Sequence, residues 1–399
     1  MSSDESEDND PLVVVMDCGS CTTKAGFASN KTLSCNIPTV YGVPRDNNQH
    51  NGEKGFYVGE EACNKTAQLA LTYPVEKGIV TDFDKMEKIW DHLLYEELHI
   101  PGEGGWYGRK LARDDEISMV LTEPPLNPTS KHEKLAEVMF EVFGVRSLYV
   151  PLHQECALIA SGCTTGVVVD AGEGSTDVVV VYEGKVVEES VVHVPFGGSD
   201  LTSILSSRLA KCNEGKNFFN EPVDVRGIKH SNIFFSLDVN YEEEWDKLVN
   251  SQSLPTHATS KGVAVDFDIA CLQCPEFLFT PSQGANMRGM HEAVHTAVQQ
   301  CPEHMHAELY NNVLLVGGNT MFGGIKERTT RELRRLVPSA MVERVRVMAP
   351  PERNKSVWLG GSIMGGVESF LNELFVSKEM YEENGGSVMV ASRRKQWPI

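Results

Sequence analysis

The chain lacks long apolar runs and is poor in basic residues. No apolar stretch reaches the roughly 18 residues that a transmembrane helix requires, so the sequence predicts no membrane span. Its 36 lysines and arginines stand against 56 aspartates and glutamates, which gives a formal net charge of −20. A chain this acidic is a poor candidate for binding nucleic acid through its overall field, and we expect no direct nucleic-acid partner.

The sequence also lacks a C-x-x-C pair with histidines at metal-ligand spacing beside it. The ten cysteines are scattered along the sequence, which suits a reducing compartment better than a disulfide framework. Cys18/Cys21 and Cys271/Cys274 have the C-x-x-C spacing, but no histidines stand at ligand spacing beside them. The pattern therefore favours coincidence over a zinc or redox site.

The first ten residues lack the basic and then apolar pattern of a signal peptide. They are acidic, and we interpret them as a short disordered tail. The rest of the composition, with 41% hydrophobic and 23% charged residues, is ordinary for a soluble globular protein. A length of 399 residues is sufficient for two domains, or for two lobes of one large unit.

A strand followed by a turn of small residues stands near the start of the chain. The apolar run from Val13 to Met16 predicts the strand, Asp17 follows it, and Lys24 lies beyond the turn. Backbone N–H groups in such a turn can form a concave array that binds phosphate, and Lys24 adds a positive charge. Asp17 is well placed to hold a hydrated Mg²⁺. Taken alone, the stretch is equally compatible with a simple β-hairpin.

The same order of residues recurs later in the chain. Val167 to Val169 precede Asp170, a Gly-rich turn leads to Asp177, and a second apolar run begins at Val178. Asp17 and Asp170 are separated by about the length of one domain. The repeat predicts two similar α/β halves, each of which offers a phosphate loop and a carboxylate to one shared ligand, with Mg²⁺ between the loops.

Predicted strands and helices alternate, which favours the α/β class. Ile117 to Leu121 predicts a strand, and the apolar spacing from Thr81 to Leu98 predicts an amphipathic helix. Ser130 and Glu133 predict a capping box at the start of another helix. Further helices are predicted from His153 and from Ser356.

An ordered set of longer motifs carries a resemblance to a known family. The motifs are Asp17-x-Gly-Ser-x-x-x-Lys24-Ala-Gly-Phe, Tyr57-Val-Gly-Glu-Glu-Ala62, Tyr73-Pro-x-Glu-x-Gly-Ile-Val80, Met86-Glu-Lys-Ile-Trp90, Leu121-Thr-Glu-Pro-Pro-Leu-Asn-Pro128, Ala160-Ser-Gly-x-Thr-Thr-Gly166, Asp200-Leu-Thr202, Gly317-Gly-x-Thr-Met321, Pro350-Pro-Glu-Arg353 and Ser356-Val-Trp-x-Gly-Gly-Ser362. In one register from about residue 12 to about residue 390, they resemble actin and the actin-related proteins.

The resemblance implies the actin-like ATPase fold. This fold is α/β, with two pseudo-symmetric lobes and four subdomains around a nucleotide cleft. The large and small subdomains of the first lobe would comprise 1–38, 75–160 and 356–399, and 39–74, respectively. Those of the second lobe would comprise 161–196 and 286–355, and 197–285.

The resemblance also implies a cofactor, ATP or ADP with Mg²⁺, and the residues that hold it. The implied phosphate contacts are Gly19, Ser20, Cys21 and Lys24 from the first loop, and Gly172, Glu173 and Gly174 from the second. Asp17 and Asp170 would hold Mg²⁺ through water. The positions implied to line the adenosine are Lys229, Gly317, Gly318, Met321 and Phe322.

Two departures from the family pattern concern hydrolysis. His153 stands where the family has a glutamine, and Asp177 stands where it has a histidine. In the family, that glutamine and that histidine together order the attacking water. An ionised Asp177 near a γ-phosphate would be repelled, whereas a positioned His153 could act as a base. We expect slow or absent hydrolysis, so the chain is at most a slow ATPase. The alternative is that Gln154 or a shifted water compensates.

Other departures concern nucleotide preference and assembly. His230 and Ser199 replace an acid and an arginine of the family pattern near the adenosine, which leaves the preferred nucleotide open. Residues 46–55 are polar where actin has an apolar-tipped loop that inserts into the next filament subunit, so we expect weaker self-polymerisation. The loop at 101–115 is longer than that of actin.

We interpret the chain as a divergent actin-related protein. It would be a nucleotide-locked subunit of a cytoskeletal or motor-associated assembly in the cytoplasm, with protein partners such as actin or other actin-related proteins. Two alternatives stay open. One is a dynamic filament-forming ATPase, and the other is a nuclear actin-related subunit of a chromatin complex.

Overall fold

The computed structural model describes most of the chain. The described residues are 12–45, 54–103, 109–111, 117–212, 222–232, 241–251, 257–258, 264–266, 268–269, 273–281, 287–393 and 395–398. The predicted acidic tail, residues 46–53 of the predicted polar loop and most of the loop at 101–115 lie outside them. The chain forms two compact units, of which the first comprises 1–160 and 357–399 and the second comprises 161–356.

The strands are short and are distributed over both units. In chain order they are β1 Leu12–Cys18, β2 Thr22–Phe27, β3 Cys35–Pro38, β4 Tyr41–Pro44, β5 Tyr57–Val58, β6 Leu69–Thr72, β7 Val75–Glu76, β8 Ile79–Val80, β9 Gly102–Glu103, β10 Lys110–Leu111, β11 Ile117–Leu121, β12 Ser147–Tyr149, β13 Gly166–Ala171, β14 Thr176–Tyr182, β15 Lys185–Val186, β16 Val192–Val194, β17 His257–Ala258, β18 Ala264–Val265, β19 Val313–Val316, β20 Val347–Met348 and β21 Val376–Ser377.

The α-helices alternate with these strands. They are α1 Gly59–Asn64, α2 Phe83–His92, α3 Thr129–Glu137, α4 His153–Ala160, α5 Gly198–Cys212, α6 Pro222–Asn232, α7 Tyr241–Asn250, α8 Met290–Gln299, α9 His306–Asn311, α10 Ile325–Leu336, α11 Ser356–Gly365, α12 Glu368–Leu374, α13 Lys378–Asn384 and α14 Ser387–Ser392. Within the described residues, every helix is too short or too polar to cross a membrane.

The first unit is built on a sheet with the strand order β21-β12-β11-β1-β2-β3. Strand β1 is parallel to β11 on one side and antiparallel to β2 on the other. The register places Asp17 opposite Lys24. The predicted hairpin is therefore present, and its strand extends through the aspartate to Cys18.

The sheet of the second unit repeats this arrangement. Its strand order is β15-β14-β13-β19-β20, and β16 also pairs with β14. Strand β13 is antiparallel to β14 and parallel to β19, and Asp170 lies opposite Asp177. The predicted α/β class and the predicted pair of similar halves are confirmed.

Alternation along the strands separates the core from the strand-end aspartates. Val14 and Met16 belong to the core cluster of the first unit, and Val169 and Val178 belong to that of the second. Successive strand residues point to opposite faces of a sheet. Asp17, Asp170 and Asp177 therefore lie on the faces opposite these clusters, where their carboxylates avoid the apolar core.

The predicted capping box at Ser130 is wrong. Helix α3 begins at Thr129, and its N-cap residue is Pro128, which provides no side-chain cap. The carbonyl oxygen of Pro128 accepts the N–H groups of Lys131 and His132 at 2.8 and 3.1 Å. Because the helical hydrogen bonds start at this proline, Ser130 lies inside the first turn and not at the cap.

Helix α11 packs very closely on α4, the helix that begins with His153. A Cβ atom built on Gly360 of α11 would overlap the carbonyl oxygen of Cys156 in α4. Trp358, which precedes Gly360 in α11, is held to β1 because its Nε1 donates to the carbonyl oxygen of Val15 at 3.2 Å. The glycine at 360 therefore allows α11 to hold α4 in position.

Replacing Gly360 with alanine should destabilise the protein. The added methyl group meets a backbone atom, which cannot rotate away, so we expect a loss of about 1–3 kcal/mol and a lower Tm. Gly227→Ala in α6 is the matched control, since a Cβ there meets no other part of the described chain within 4 Å. Thermal unfolding of both variants checks this, and equal Tm values would contradict the close packing of α11 on α4.

Candidate functional site

Asp17 is buried at the end of β1 and is held by three side chains. Lys24 Nζ donates to Oδ2 at 2.9 Å, and Thr122 Oγ1 donates to Oδ1 at 3.1 Å. Nε2 of His153 lies 3.8 Å from Oδ1. Burial acts to raise the pKa of Asp17, but the charges of Lys24 and His153 outweigh it, so the pKa lies below its usual value. The carboxylate is thus ionised at neutral pH.

The first loop joins β1 to β2 through a tight turn. Gly19 N–H donates to the carbonyl oxygen of Thr22 at 3.1 Å. The hydroxyl of Ser20 accepts the N–H of Gly78 at 2.8 Å, and the carbonyl oxygen of Cys21 accepts the N–H of Thr39 at 2.9 Å. These bonds hold the loop that carries the predicted phosphate-binding residues.

The second loop has the same closing hydrogen bond, from Gly172 N–H to the carbonyl oxygen of Ser175 at 2.9 Å. The carbonyl oxygen of Gly172 accepts Gly198 N–H at 3.0 Å and Asn319 Nδ2 at 2.6 Å. The loop is therefore tied both to the start of α5 and to the turn after β19. The backbone N–H groups of Glu173 and Gly174 donate to no acceptor among the described residues. Free N–H groups in a Gly-rich loop are typical of anion sites.

A buried ion cluster lies against the second loop. Lys229 is fully buried and donates to the carbonyl oxygen of Gly198 at 2.7 Å. Its Nζ is 3.3 Å from Glu173 Oε2, and Arg226 Nη2 is 2.8 Å from Glu173 Oε1. Two cations thus surround one carboxylate beside the second loop.

The chain turns sharply after β19, beside Asp170. Gly317 has a positive φ of 89°, and a Cβ on it would lie 2.6 Å from Asp170 Oδ1. Only glycine is compatible with this conformation and this close approach. Beyond Gly318, Met321 is 39% exposed, whereas Phe322 is buried in the core cluster of the unit. The structure thus leaves Met321 accessible and uses Phe322 for packing.

The predicted site residues form one group in each unit. The first group comprises Asp17, Gly19, Ser20, Cys21, Lys24 and His153. The second comprises Asp170, Gly172, Glu173, Gly174, Asp177, Lys229, Gly317 and Gly318. The residues fit a nucleotide with hydrated Mg²⁺ by their chemistry, since each group offers a carboxylate, a cation and loop N–H donors.

Comparison with known families identifies the relationship. The sequence model of the family described as Actin matches residues 9–225 and 217–395, which together span nearly the whole chain. The chain belongs to the actin family. The predicted family and fold class are thereby confirmed. Actin-family proteins generally bind ATP or ADP with Mg²⁺ and interact with other proteins.

In this actin-family chain, Asp177 is not a free carboxylate. Ser175 Oγ donates to its Oδ2 at 2.8 Å, and His193 Nδ1 lies 2.6 Å from its Oδ1. His193 was not among the predicted site residues. The signal available in the sequence was a histidine between two core valines, Val192 and Val194, which is the alternation of a half-buried strand.

Thr122 and Asn319 were also missed by the sequence-based prediction. Thr122 follows β11, and Asn319 follows β19. Each is a polar residue just beyond a strand that is parallel to the aspartate-bearing strand of its unit. Their position could have marked them, because the carboxyl ends of parallel strands meet at one edge of a sheet.

Helix α4 carries a second ionisable group close to His153. Glu155 is buried, its Oε2 accepts Leu152 N–H at 2.8 Å, and its Oε1 accepts Trp397 Nε1 at 3.1 Å. Burial raises the pKa of Glu155 to about 7. The C-terminal segment is therefore fastened to α4 through a carboxylate that titrates near neutral pH.

Replacing Glu155 with glutamine should remove part of the pH dependence of stability. Because the folded state raises the pKa from 4.5 to about 7, the stabilising effect is complete below about pH 4.5 and is lost as the pH rises through about 7. Between about pH 5 and about pH 8, the free energy of unfolding of the wild-type protein should fall relative to that of Glu155→Gln by an amount on the order of 3 kcal/mol.

Thermal unfolding at constant ionic strength measures this difference. Glu368→Gln, which changes an exposed glutamate of α12, is the control and should follow the wild-type pH profile. A Glu155→Gln profile parallel to that of the wild-type protein would show that Glu155 does not titrate in this range.

Proposed function

We propose that this actin-family chain binds ATP or ADP with Mg²⁺ through its two hairpin loops and acts as a structural subunit of a protein assembly. Nucleotide hydrolysis would be slow or absent. The observation that carries the proposal is the second loop. Its Glu173 and Gly174 N–H groups are free among the described residues, and the loop lies against the cations Lys229 and Arg226, which contact Glu173. This combination attracts a phosphate group.

Each proposed residue has a role that suits its surroundings. The phosphates would be bound by Gly19, Ser20, Cys21, Lys24, Gly172, Glu173 and Gly174. Asp17 and Asp170 would hold the waters of Mg²⁺, which would neutralise phosphate charge. The adenosine would lie against Gly317, Gly318 and Met321, with the buried Lys229 and Phe322 contributing through their packing.

The surroundings of the two substituted positions support slow hydrolysis. His153 faces Asp17 at 3.8 Å, and Asp177 is hydrogen-bonded through both of its oxygens. An ionised aspartate can only accept hydrogen bonds, so Asp177 cannot donate one to a water or a phosphate oxygen as a histidine can. Bound nucleotide would then act mainly as a structural ligand that stabilises the folded state by mass action.

The proposed structural role rests on the polar composition of 46–55 and on the family. Filament contacts depend on buried apolar anchors, and this segment contains none. A cytoskeletal or motor-associated assembly in the cytoplasm is the proposed setting, with actin or other actin-related proteins as candidate partners. A filament-forming ATPase and a nuclear chromatin subunit are the alternatives, and proteins that co-purify with the native chain distinguish the settings.

Nucleotide binding should depend on Asp17. Mg·ATP should raise the Tm of the wild-type protein in a concentration-dependent way. Asp17→Asn keeps the shape of the side chain but removes the charge that would hold hydrated Mg²⁺, so we expect at least about tenfold weaker binding by calorimetry. Asp84→Asn, at an exposed position of α2, is the control. Failure of the wild-type protein to bind, or equal affinity of Asp17→Asn, would refute the nucleotide proposal.

Purified protein should remain largely in the supernatant when Mg²⁺, ATP and salt are added and the sample is centrifuged at high speed. The reason is the absence of an apolar anchor in 46–55. Conventional actin, treated in parallel, provides the positive control. Pelleting of the chain to the extent seen for actin would favour the filament-forming alternative.

A further inference from the structure

Three ionisable residues form a row across the sheet of the second unit. The register pairs Asp170 of β13 with Asp177 of β14, and Asp177 with His193 of β16. Val192 and Val194, the neighbours of His193 in β16, belong to the core cluster. His193 therefore lies on the same face as the two aspartates, opposite the core.

The hydrogen bonds in this row fix the tautomer of His193. Its Nδ1 lies 2.6 Å from Asp177 Oδ1, while Ser175 Oγ donates to Asp177 Oδ2 at 2.8 Å. An ionised carboxylate can only accept, so Nδ1 carries a proton, and Nε2 has a lone pair in the neutral form of this tautomer. The side chain of His193 is 31% exposed, against 10% for Asp177, so the ring is accessible to water.

The equivalent row in the first unit has a lysine and an asparagine in the positions of Asp177 and His193. There Asp17 is paired with Lys24, and Lys24 is paired with Asn36. A lysine bound to a buried aspartate remains protonated and cannot accept a proton at neutral pH. The two hairpins share one backbone plan, but in the second unit the imidazole belongs to a strand that pairs with the hairpin, whereas His153 of the first unit lies on α4.

The described elements that pack against β16 are β14 on one edge and α8 on the core face. Strand β16 pairs with β14, which contributes Asp177, and Asp170 follows one strand further away. Helix α8 also packs against β16, but on the core face formed by Val192 and Val194. Asp177 is thus the charged group directly in contact with the ring among the described residues.

We propose that His193 is the proton acceptor for hydrolysis of the nucleotide held by the second loop, with Asp177 and Ser175 as positioning residues. The proposal rests on the proposed function, since it requires that ATP binds there. Asp177 then has a role other than repelling phosphate: it orients an imidazole, as carboxylates do in acid–base dyads. In this slow ATPase, His193 would replace the glutamine and the histidine that order the attacking water in the family.

The step balances without a further reactant. The oxygen of a water molecule forms a bond to the γ-phosphorus while the bond from that phosphorus to the β,γ-bridging oxygen breaks. The electron pair of the broken bond stays on ADP. The proton of the water moves to Nε2 of His193 and later to solvent, and inorganic phosphate is the second product.

His193→Gln in the full-length protein tests the proposal. Glutamine can donate to Asp177 but cannot take up a proton at neutral pH. We expect ATP affinity within about twofold of the wild-type value and phosphate release slower by about 100-fold in single turnover. His304→Gln, at an exposed position of the second unit, is the matched control and should behave as the wild-type protein does.

A second measurement needs no substitution and no turnover. Nitrogen NMR of histidine-labelled wild-type protein should show His193 protonated at Nδ1, and the β,γ-imido analogue of ATP with Mg²⁺ should shift its Nε2 resonance. An unshifted resonance, or wild-type phosphate release by His193→Gln, would overturn the proposal. ATP binding by the wild-type protein without any phosphate release would overturn it while leaving the proposed function intact, whereas absence of ATP binding would refute both.

Discussion

The cross-strand pairing of each strand-end aspartate is the constraint on which both units depend. A carboxylate at the end of a buried strand is costly unless a neighbour compensates its charge. In the first unit the compensation comes from Lys24, 2.9 Å from Asp17. In the second unit the residue opposite Asp170 is another aspartate, Asp177, so compensation must come from beyond the hairpin.

Residues from outside the hairpin contact two other acidic groups of the second unit, Asp177 and Glu173. His193 bonds to Asp177 from the neighbouring strand β16, and Lys229 and Arg226 of α6 surround Glu173 of the loop. These contacts tie β16 and α6 to the second loop. The same backbone plan thus places a lysine opposite the strand-end aspartate in one unit, and in the other an aspartate that contacts a histidine of the next strand.

Local patterns in the sequence were sufficient for the hairpins, because both strands and the turn between them lie within about 15 residues and share one set of hydrogen bonds. The capping box at Ser130 failed for an equally local reason, since Pro128 starts the helical hydrogen bonds earlier. Phe322 shows a different limit. Its burial in the core cluster could not be predicted from the sequence, because whether an aromatic side chain packs inward depends on the neighbours that surround it.

The sequence by itself determined the α/β class, the duplicated Asp–Gly hairpins and the membership of the actin family. Only the tertiary structure decided which distant residues form hydrogen bonds with the aspartates and their loops. Thr122 reaches Asp17 across 105 positions of sequence, and Asn319 reaches Gly172 across 147. Such contacts follow from the order of strands in a sheet, which is set by the packing of the whole unit and leaves little trace in a short stretch of sequence.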